Sequence, residues 1–122
     1  MENERRKRQK KESISPYASN LDVSFYHAAA EAMRENGLGN VTVTNLHQQE
    51  YDGKRYVSDS FQYRIEFDSP DSRKIFELLH QEALKIVPQA EDEIAARISG
   101  IEKIRKTAEQ IKEGTFPLNP KG

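Results

Sequence analysis

The chain has 122 residues, a length that suits one domain, and 35% of them are hydrophobic while 32% are charged. No apolar run approaches the roughly 18 residues that suggest a membrane span. There is no cysteine, which excludes disulfides, thiolate metal sites and cysteine nucleophiles and fits a cytoplasmic protein. The composition therefore predicts a small soluble domain that does not bind a membrane.

Residues 1–17 are predicted to form a flexible basic arm, because they show no apolar periodicity and Ser15-Pro16 interrupts them. Residues 1–12 hold six Lys or Arg against three Glu, a charge of +3, which leaves −4 for the rest of a chain of net charge −1. Such a run can neutralise phosphates. Two interpretations remain: the run binds nucleic acid or another anionic partner, or it is a solubilising tail. The predicted nucleic-acid-binding residues, two of them at a hairpin tip, are Arg5, Arg6, Lys7, Arg8, Lys10, Lys11, Lys54 and Arg55.

Residues 18–87 are predicted to form an α-β-β-α core of class α+β. Apolar residues at helical spacing predict a first helix over 20–36 and a second over 70–87. The second helix has clear limits, because Ser69 can cap its start and Pro88 disfavours helical geometry at the residue before it. Between the two helices, strands should form an antiparallel hairpin.

The second strand of this hairpin has the clearest pattern in the chain, since large apolar residues alternate with polar ones. Its apolar members are Phe61, Tyr63, Ile65 and Phe67. The first strand is predicted over 41–44. An odd-length loop at Asp52-Gly53 would set Val41 opposite Ile65 and place Val43 on the same buried face, whereas a two-residue turn would turn both valines outward.

Residues 88–113 are predicted to form a long amphipathic helix, and residues 114–122 an extended tail. A helix of about 25 residues spans roughly 38 Å, which is longer than the core needs. Its narrow isoleucine stripe suits a coiled-coil seam. We expect the C-terminal end to project and to bind a partner protein or a second copy; packing on the chain's own core is the alternative. The predicted partner-binding residues are Ile104, Ala108 and Ile111.

The three histidines, His27, His47 and His80, are not at metal-ligand spacing. Asp59 would face His47 in the predicted register, but the pair has no evident nucleophile, so a cross-strand polar pair is the better interpretation. No phosphate-binding glycine loop or nucleophile motif occurs. We predict no catalytic residue, metal site or cofactor.

The order of helix, strands and helix beside a basic element invites comparison with double-stranded-RNA-binding domains. That family has a lysine-rich start to its second helix after three strands, whereas here the helix starts at Ser69-Pro70-Asp71 after two, so the sequence assigns no family. The resulting hypothesis is a non-enzymatic interaction or accessory module at a nucleic-acid complex. The alternative is an inhibitor of a nucleic-acid-acting enzyme, with the acidic body as a competing surface.

Overall fold

A computed structural model describes residues 12–46 and 60–116 of the chain. Its elements are β1 (Glu12–Ile14), β2 (Tyr17–Ser19), α1 (Asn20–Glu35), β3 (Val41–Asn45), β4 (Ser60–Phe67), α2 (Pro70–Ile86), a 3₁₀ turn (Val87–Gln89) and α3 (Glu93–Glu113). The predicted α+β class is confirmed, with its helix, antiparallel strand pair, helix and long C-terminal helix. None of the helices in these two ranges is long and apolar enough to cross a membrane.

The sheet is built around β4, which pairs antiparallel with β3 on one side and with β1 and β2 on the other. β1 and β2 keep one register along β4 and are two halves of an interrupted edge strand. At the interruption, the carbonyl of Pro16 still accepts a hydrogen bond from the backbone N–H of Tyr63 at 2.9 Å. Proline has no N–H to donate, which an edge position tolerates.

The prediction that residues 12–17 belong to a flexible arm is therefore wrong. Ile14 and Pro16 are partly covered and Ala18 is buried, while the residues between them are more exposed, so the segment alternates as an edge strand should. Each half of this edge strand is only three residues long and Pro16 lies between the halves, so the alternation is too short to be recognised in the sequence. Residues 1–11 lie outside the described part of the chain.

The predicted register between β3 and β4 is wrong by two residues, because Val43, not Val41, lies opposite Ile65. Val41 lies opposite Phe67 instead. Since side chains alternate with a period of two, an even shift leaves the same residues on the buried face. The predicted packing of Tyr63, Ile65 and Phe67 with both valines is thus confirmed. The Asp52-Gly53 loop lies outside the described residues.

The ends of α1 and α2 follow their local sequence signals. α1 ends at Glu35, and the φ of 68° at Gly37 allows the backbone N–H of Leu38 to reach the carbonyl of Met33 at 2.8 Å. α2 starts after Ser69, whose hydroxyl accepts a hydrogen bond from the backbone N–H of Ser72 at 3.1 Å. Both helices stop close to their predicted limits.

The fold has three layers: the sheet, then α1 and α2 side by side, then α3 across both helices. Phe67 of the sheet meets Phe76 of α2 edge-on, with ring centroids 5.4 Å apart. α3 starts later than predicted, because the chain makes a 3₁₀ turn at Pro88 and Asp92 then caps the helix by accepting from the backbone N–H of Ala95 at 2.8 Å. Gly114 ends it with φ 80°, as expected, and Phe116 packs against the core.

Candidate interaction surface

The isoleucines of α3 differ in burial. Ile104 and Ala108 are 0% exposed and Ile111 is 8% exposed, whereas Ile94 is 66% and Ile98 54% exposed. The prediction that the C-terminal end of this helix projects from the domain is therefore wrong. The predicted partner-binding residues Ile104, Ala108 and Ile111 pack inside the chain's own core and leave almost no surface for a partner.

The length of the supporting helices explains this correction. α3 has 21 residues, α1 has 16 and α2 has 17. At 1.5 Å per residue, α3 is roughly 31 Å long against roughly 24–26 Å for its supports. The excess is thus only about one turn. Ala96 and Gly100 in the N-terminal half are buried as well, so Ile94 and Ile98 are exposed because they lie on the opposite face of the helix.

The two exposed isoleucines and a partly buried one form a strip, which we call the isoleucine ridge: Ile94, Ile98 and Ile101. Their spacing of four and three residues keeps them on one face of the helix. Ile101 is partly buried and joins the ridge to the core. Single exposed apolar residues are ordinary on a protein surface, but a contiguous strip of them is typical of an interaction site.

The flank of α3 is held to α2 by charge. The Glu82 carboxylate of α2, with a side chain only 13% exposed, lies 3.8 Å from the Lys103 ammonium of α3 and 2.9 Å from that of Lys85. Together with the buried C-terminal half, this contact fixes the direction in which the ridge points.

Two further charges frame the ridge. Glu91 precedes it and Arg105 follows it, each seven residues from Ile98, and both side chains are exposed. Neither forms an ion pair within the described residues. Arg97, by contrast, lies 3.5 Å from Glu93 on the same helix. On the helix the ridge is thus followed by the exposed Arg105, whereas Glu91 lies in the turn before Asp92 caps α3.

The predicted nucleic-acid-binding residues all lie outside the described part of the chain: Arg5, Arg6, Lys7, Arg8, Lys10, Lys11, Lys54 and Arg55. The structure does fix the point from which the arm leaves the domain. Glu12, at the start of β1, accepts from the Arg73 guanidinium of α2 at 3.0 Å. The arm therefore attaches at the edge of the sheet beside the start of α2.

A histidine–carboxylate pair joins α1 to α2. His80 Nε2 is 3.1 Å from Asp22 Oδ1, and the Ser19 hydroxyl donates to Asp22 Oδ2 at 3.3 Å. The Tyr26 ring is 5.0 Å from the His80 ring, and burial, followed by the charge of Asp22, raises the pKa of Tyr26. Sequence reasoning missed this contact, since 58 positions separate His80 from Asp22.

The pair lacks the geometry of a catalytic triad. A triad needs histidine between serine and carboxylate, whereas here Asp22 separates Ser19 from His80. Ser19 is already used as the α1 cap, accepting from the backbone N–H of Asp22 at 3.2 Å. An open groove of about 470 Å³ runs beside His80. The predicted pair of His47 and Asp59 lies outside the described residues.

Similarity to known proteins does not assign this chain. No known family model matches it, and neither a curated protein nor a solved structure does. The isoleucine ridge and the basic arm are the features from which a function can be argued.

Proposed function

We propose that the chain is a small non-enzymatic interaction module that binds protein through the isoleucine ridge. The exposure of Ile94 and Ile98 carries this proposal. Both side chains remain in water although the same helix buries Ile104 and Ile111, so their apolar surface is available to a partner. Burying this apolar surface against a partner therefore contributes favourable free energy to binding.

The setting of the ridge favours binding. Association is weakened when a partner must first order loops or side chains. Here the ridge lies on a helix that packs across both α1 and α2 and forms an ion pair with α2, so little backbone needs ordering. Isoleucine also has few rotamers to lose in a helix. These features support a preformed docking strip.

We further propose that the basic arm brings the module to a nucleic-acid complex in the cytoplasm. Residues 1–12 carry a charge of +3 and the remainder of the chain carries −4. The charge that can neutralise phosphates is therefore concentrated in one segment, which supports this proposal. The arm attaches at β1, and the ridge lies on α3 in a different layer of the fold. Both surfaces can then be occupied together.

Fluorescence anisotropy with labelled duplex DNA and RNA, repeated across salt concentrations, tests the role of the arm. We expect log K to fall linearly with log salt, and each lost phosphate contact on duplex DNA to reduce the slope by about 0.9. The informative variant changes the arm's six basic residues, Arg5, Arg6, Lys7, Arg8, Lys10 and Lys11, to Gln. Deletion beyond residue 11 is unsuitable, since Glu12 pairs with Phe67 in the sheet.

The control neutralises three exposed cations elsewhere: Arg105, Lys106 and Lys112, all on α3, are changed to Gln. The control should leave the salt slope close to that of the parent chain. If the variant with the neutral arm has the same affinity and the same salt slope as the parent chain, the arm is only a solubilising tail. If the chain binds a nucleic-acid-acting enzyme but no nucleic acid, the alternative function is favoured, which is inhibition of such an enzyme.

A further inference from the structure

We infer that the outer edge of β3 is a second protein-binding site, where an extended and uncharged segment of a partner protein pairs as an added strand. The site goes beyond the proposed function, because it lies on the sheet and not on the isoleucine ridge or the basic arm. Its basis is the backbone of β3, the composition of this strand and a groove beside it.

Two backbone hydrogen bonds show which residues of this segment face β4. The carbonyl of Asn40 accepts from the backbone N–H of Asp68 at 3.2 Å. The backbone N–H of Leu46 donates to the carbonyl of Gln62 at 2.9 Å. Because the hydrogen-bonding direction alternates along an antiparallel strand, every second residue between these two bonds also faces β4.

The backbone groups of β3 therefore point to two sides. Those of Thr42 and Thr44 point to β4, and those of Val41 and Val43 point away from it. Within the described residues β3 pairs with no strand other than β4. The outer edge of β3 thus presents donors and acceptors at alternate residues.

The two edges of the sheet differ in their protection. The edge formed by β1 and β2 is interrupted at Pro16 and consists of two halves of three residues each. Short strands and prolines are among the features that keep an edge from pairing with another chain. β3 is a continuous run of five residues, Val-Thr-Val-Thr-Asn, without proline or charge, and valine and threonine favour strands. The edge of β3 is therefore the one suited to an added strand.

A groove of about 450 Å³ lies between this edge and α1. On the β3 side it is lined by the half-buried Val41 and Val43, and on the α1 side by the buried Ala30 and the exposed Glu31 and Arg34. Paired residues in a sheet share a face, so alternate side chains of an added strand would point to the face of the two valines. The groove can receive these side chains.

These features specify the occupant. Donors and acceptors that recur every two residues, about 6.8 Å apart, match an extended backbone and not a helix, whose backbone groups are bonded internally. The valines and Ala30 offer apolar contacts to its side chains. The charges of Glu31 and Arg34 cancel, so the groove favours neither an acidic nor a basic segment. The occupant is accordingly an uncharged segment with apolar, β-branched side chains at alternate positions, bound by strand addition.

Amide hydrogen exchange of the full chain, followed by NMR at about 50 μM, tests whether the edge is open. We expect the N–H groups of Val41 and Val43 to exchange at least about tenfold faster than those of Thr42 and Thr44, which bond to β4. Equal protection of all four would mean that the chain itself covers the edge, and the inference would be wrong. Protection of the valines that appears only at about 1 mM protein would identify a second copy as the occupant and would equally refute a separate partner.

Binding is tested with an end-blocked peptide of alternating threonine and valine, Thr-Val-Thr-Val-Thr. We expect a dissociation constant on the order of 1 mM, because few side chains contribute. At a free-peptide concentration of about three times this constant, exchange at Val41 and Val43 should slow by about fourfold. Failure of the peptide to slow exchange there would contradict the inference.

Two kinds of control peptide separate backbone pairing from side-chain contact. The same peptide with every backbone nitrogen methylated keeps its side chains but donates no hydrogen bond, so it should leave the exchange at Val41 and Val43 unchanged. Peptides with Lys or with Glu in place of both valines should bind at least about fivefold more weakly. Equal binding of the methylated peptide would exclude strand addition, and tighter binding of a charged peptide would exclude an uncharged occupant.

Proline substitutions locate the site on the protein. Val41→Pro removes an outward N–H at the first residue of the strand, a position where the fold tolerates proline, and should raise the dissociation constant by about tenfold or more. Ser13→Pro is the matched control, because the carbonyl of Pro16 faces β4 and the N–H of Ser13 therefore points away from it on the opposite edge. It should change the constant by less than about twofold. An equal loss in both variants would place the peptide elsewhere. If Val41→Pro lowers the melting temperature, the methylated peptide still decides, since it leaves the protein unchanged.

Failure of the inference and failure of the proposed function give different results. Ile98→Glu, on the ridge, should leave peptide binding within about twofold of the parent chain, and loss of binding in this variant would show that β3 is not a separate site. A parent chain that binds no peptide overturns the inference alone. The ridge is refuted only if the Ile94 and Ile98 variants lose no protein partner.

Discussion

Gly100 allows α3 to approach α1, and its replacement by alanine gives a direct test of this packing. A Cβ at this position would lie 2.4 Å from two ring carbons of Phe25 and 3.4 Å from the Cβ of Ala83. Phe25 is 0% exposed, so its ring has no free space to enter. Alanine at a helix interior otherwise adds about 0.8–1 kcal/mol of stability over glycine.

The steric effect should exceed this propensity gain. Overpacking a tight core costs about 1–3 kcal/mol, and a 2.4 Å contact with a fixed ring belongs at the upper end of that range. We expect Gly100→Ala to lower the free energy of unfolding by about 1–2 kcal/mol and the melting temperature by roughly 4–8 °C. Urea denaturation and a thermal melt measure the two quantities.

A Phe25→Leu background separates the clash from the propensity. Leucine removes the ring carbons that a Cβ at Gly100 would meet, so Gly100→Ala should cost about 1 kcal/mol less in this background. Gly37→Ala is the control, because Gly37 has φ 68° and a Cβ added there would meet no atom within 4 Å. Its cost of about 1 kcal/mol reflects backbone strain and should not change with Phe25→Leu. If Gly100→Ala instead stabilises the parent chain, the close approach of α3 to Phe25 is refuted.

Two further substitutions test buried and charged groups. Thr107 is 0% exposed and its hydroxyl has no hydrogen-bond partner among the described residues. Thr107→Val should therefore raise the free energy of unfolding, measured in urea, by about 1 kcal/mol. A lower free energy of unfolding would show that the hydroxyl is hydrogen-bonded. Hydrogen bonds from the Ser72 hydroxyl, and then from the Asn40 backbone, lower the pKa of Asp68. Asp68 therefore stabilises the fold above the carboxyl's unfolded pKa and loses this effect as pH falls through its lowered folded pKa. Asp68→Asn should reduce stability at about pH 7 more than at about pH 2, and equal effects at both would refute the linkage.

The parts of the fold that sequence reasoning predicted have local causes. The cap at Ser69 and the left-handed glycine at Gly37 act within one helical turn, and their residue types identify them. The buried face of β4 is equally local, because alternation over eight residues defines it. Each of these features was placed correctly without knowledge of the tertiary structure.

The parts that were missed depend on contacts between distant segments. A shift of two residues between β3 and β4 leaves Val41 and Val43 on the same face, so hydrophobic pattern alone could not choose the register. Isoleucine occurs at both ends of α3, and only the position of α1 and α2 decides that Ile104 is buried and Ile94 is exposed. The predicted partner-binding residues are therefore core residues, and the exposed isoleucines of α3 are different ones.

The central position of β4 has a consequence for the order of folding. In the described residues β1, β2 and β3 pair only with β4, so no two of them can form a sheet without it. β1 starts at Glu12 and its partner Phe67 follows 55 residues later in the sequence. During synthesis the N-terminal strand must therefore wait unpaired until residues 60–67 have left the ribosome, and the sheet should then form in one cooperative step.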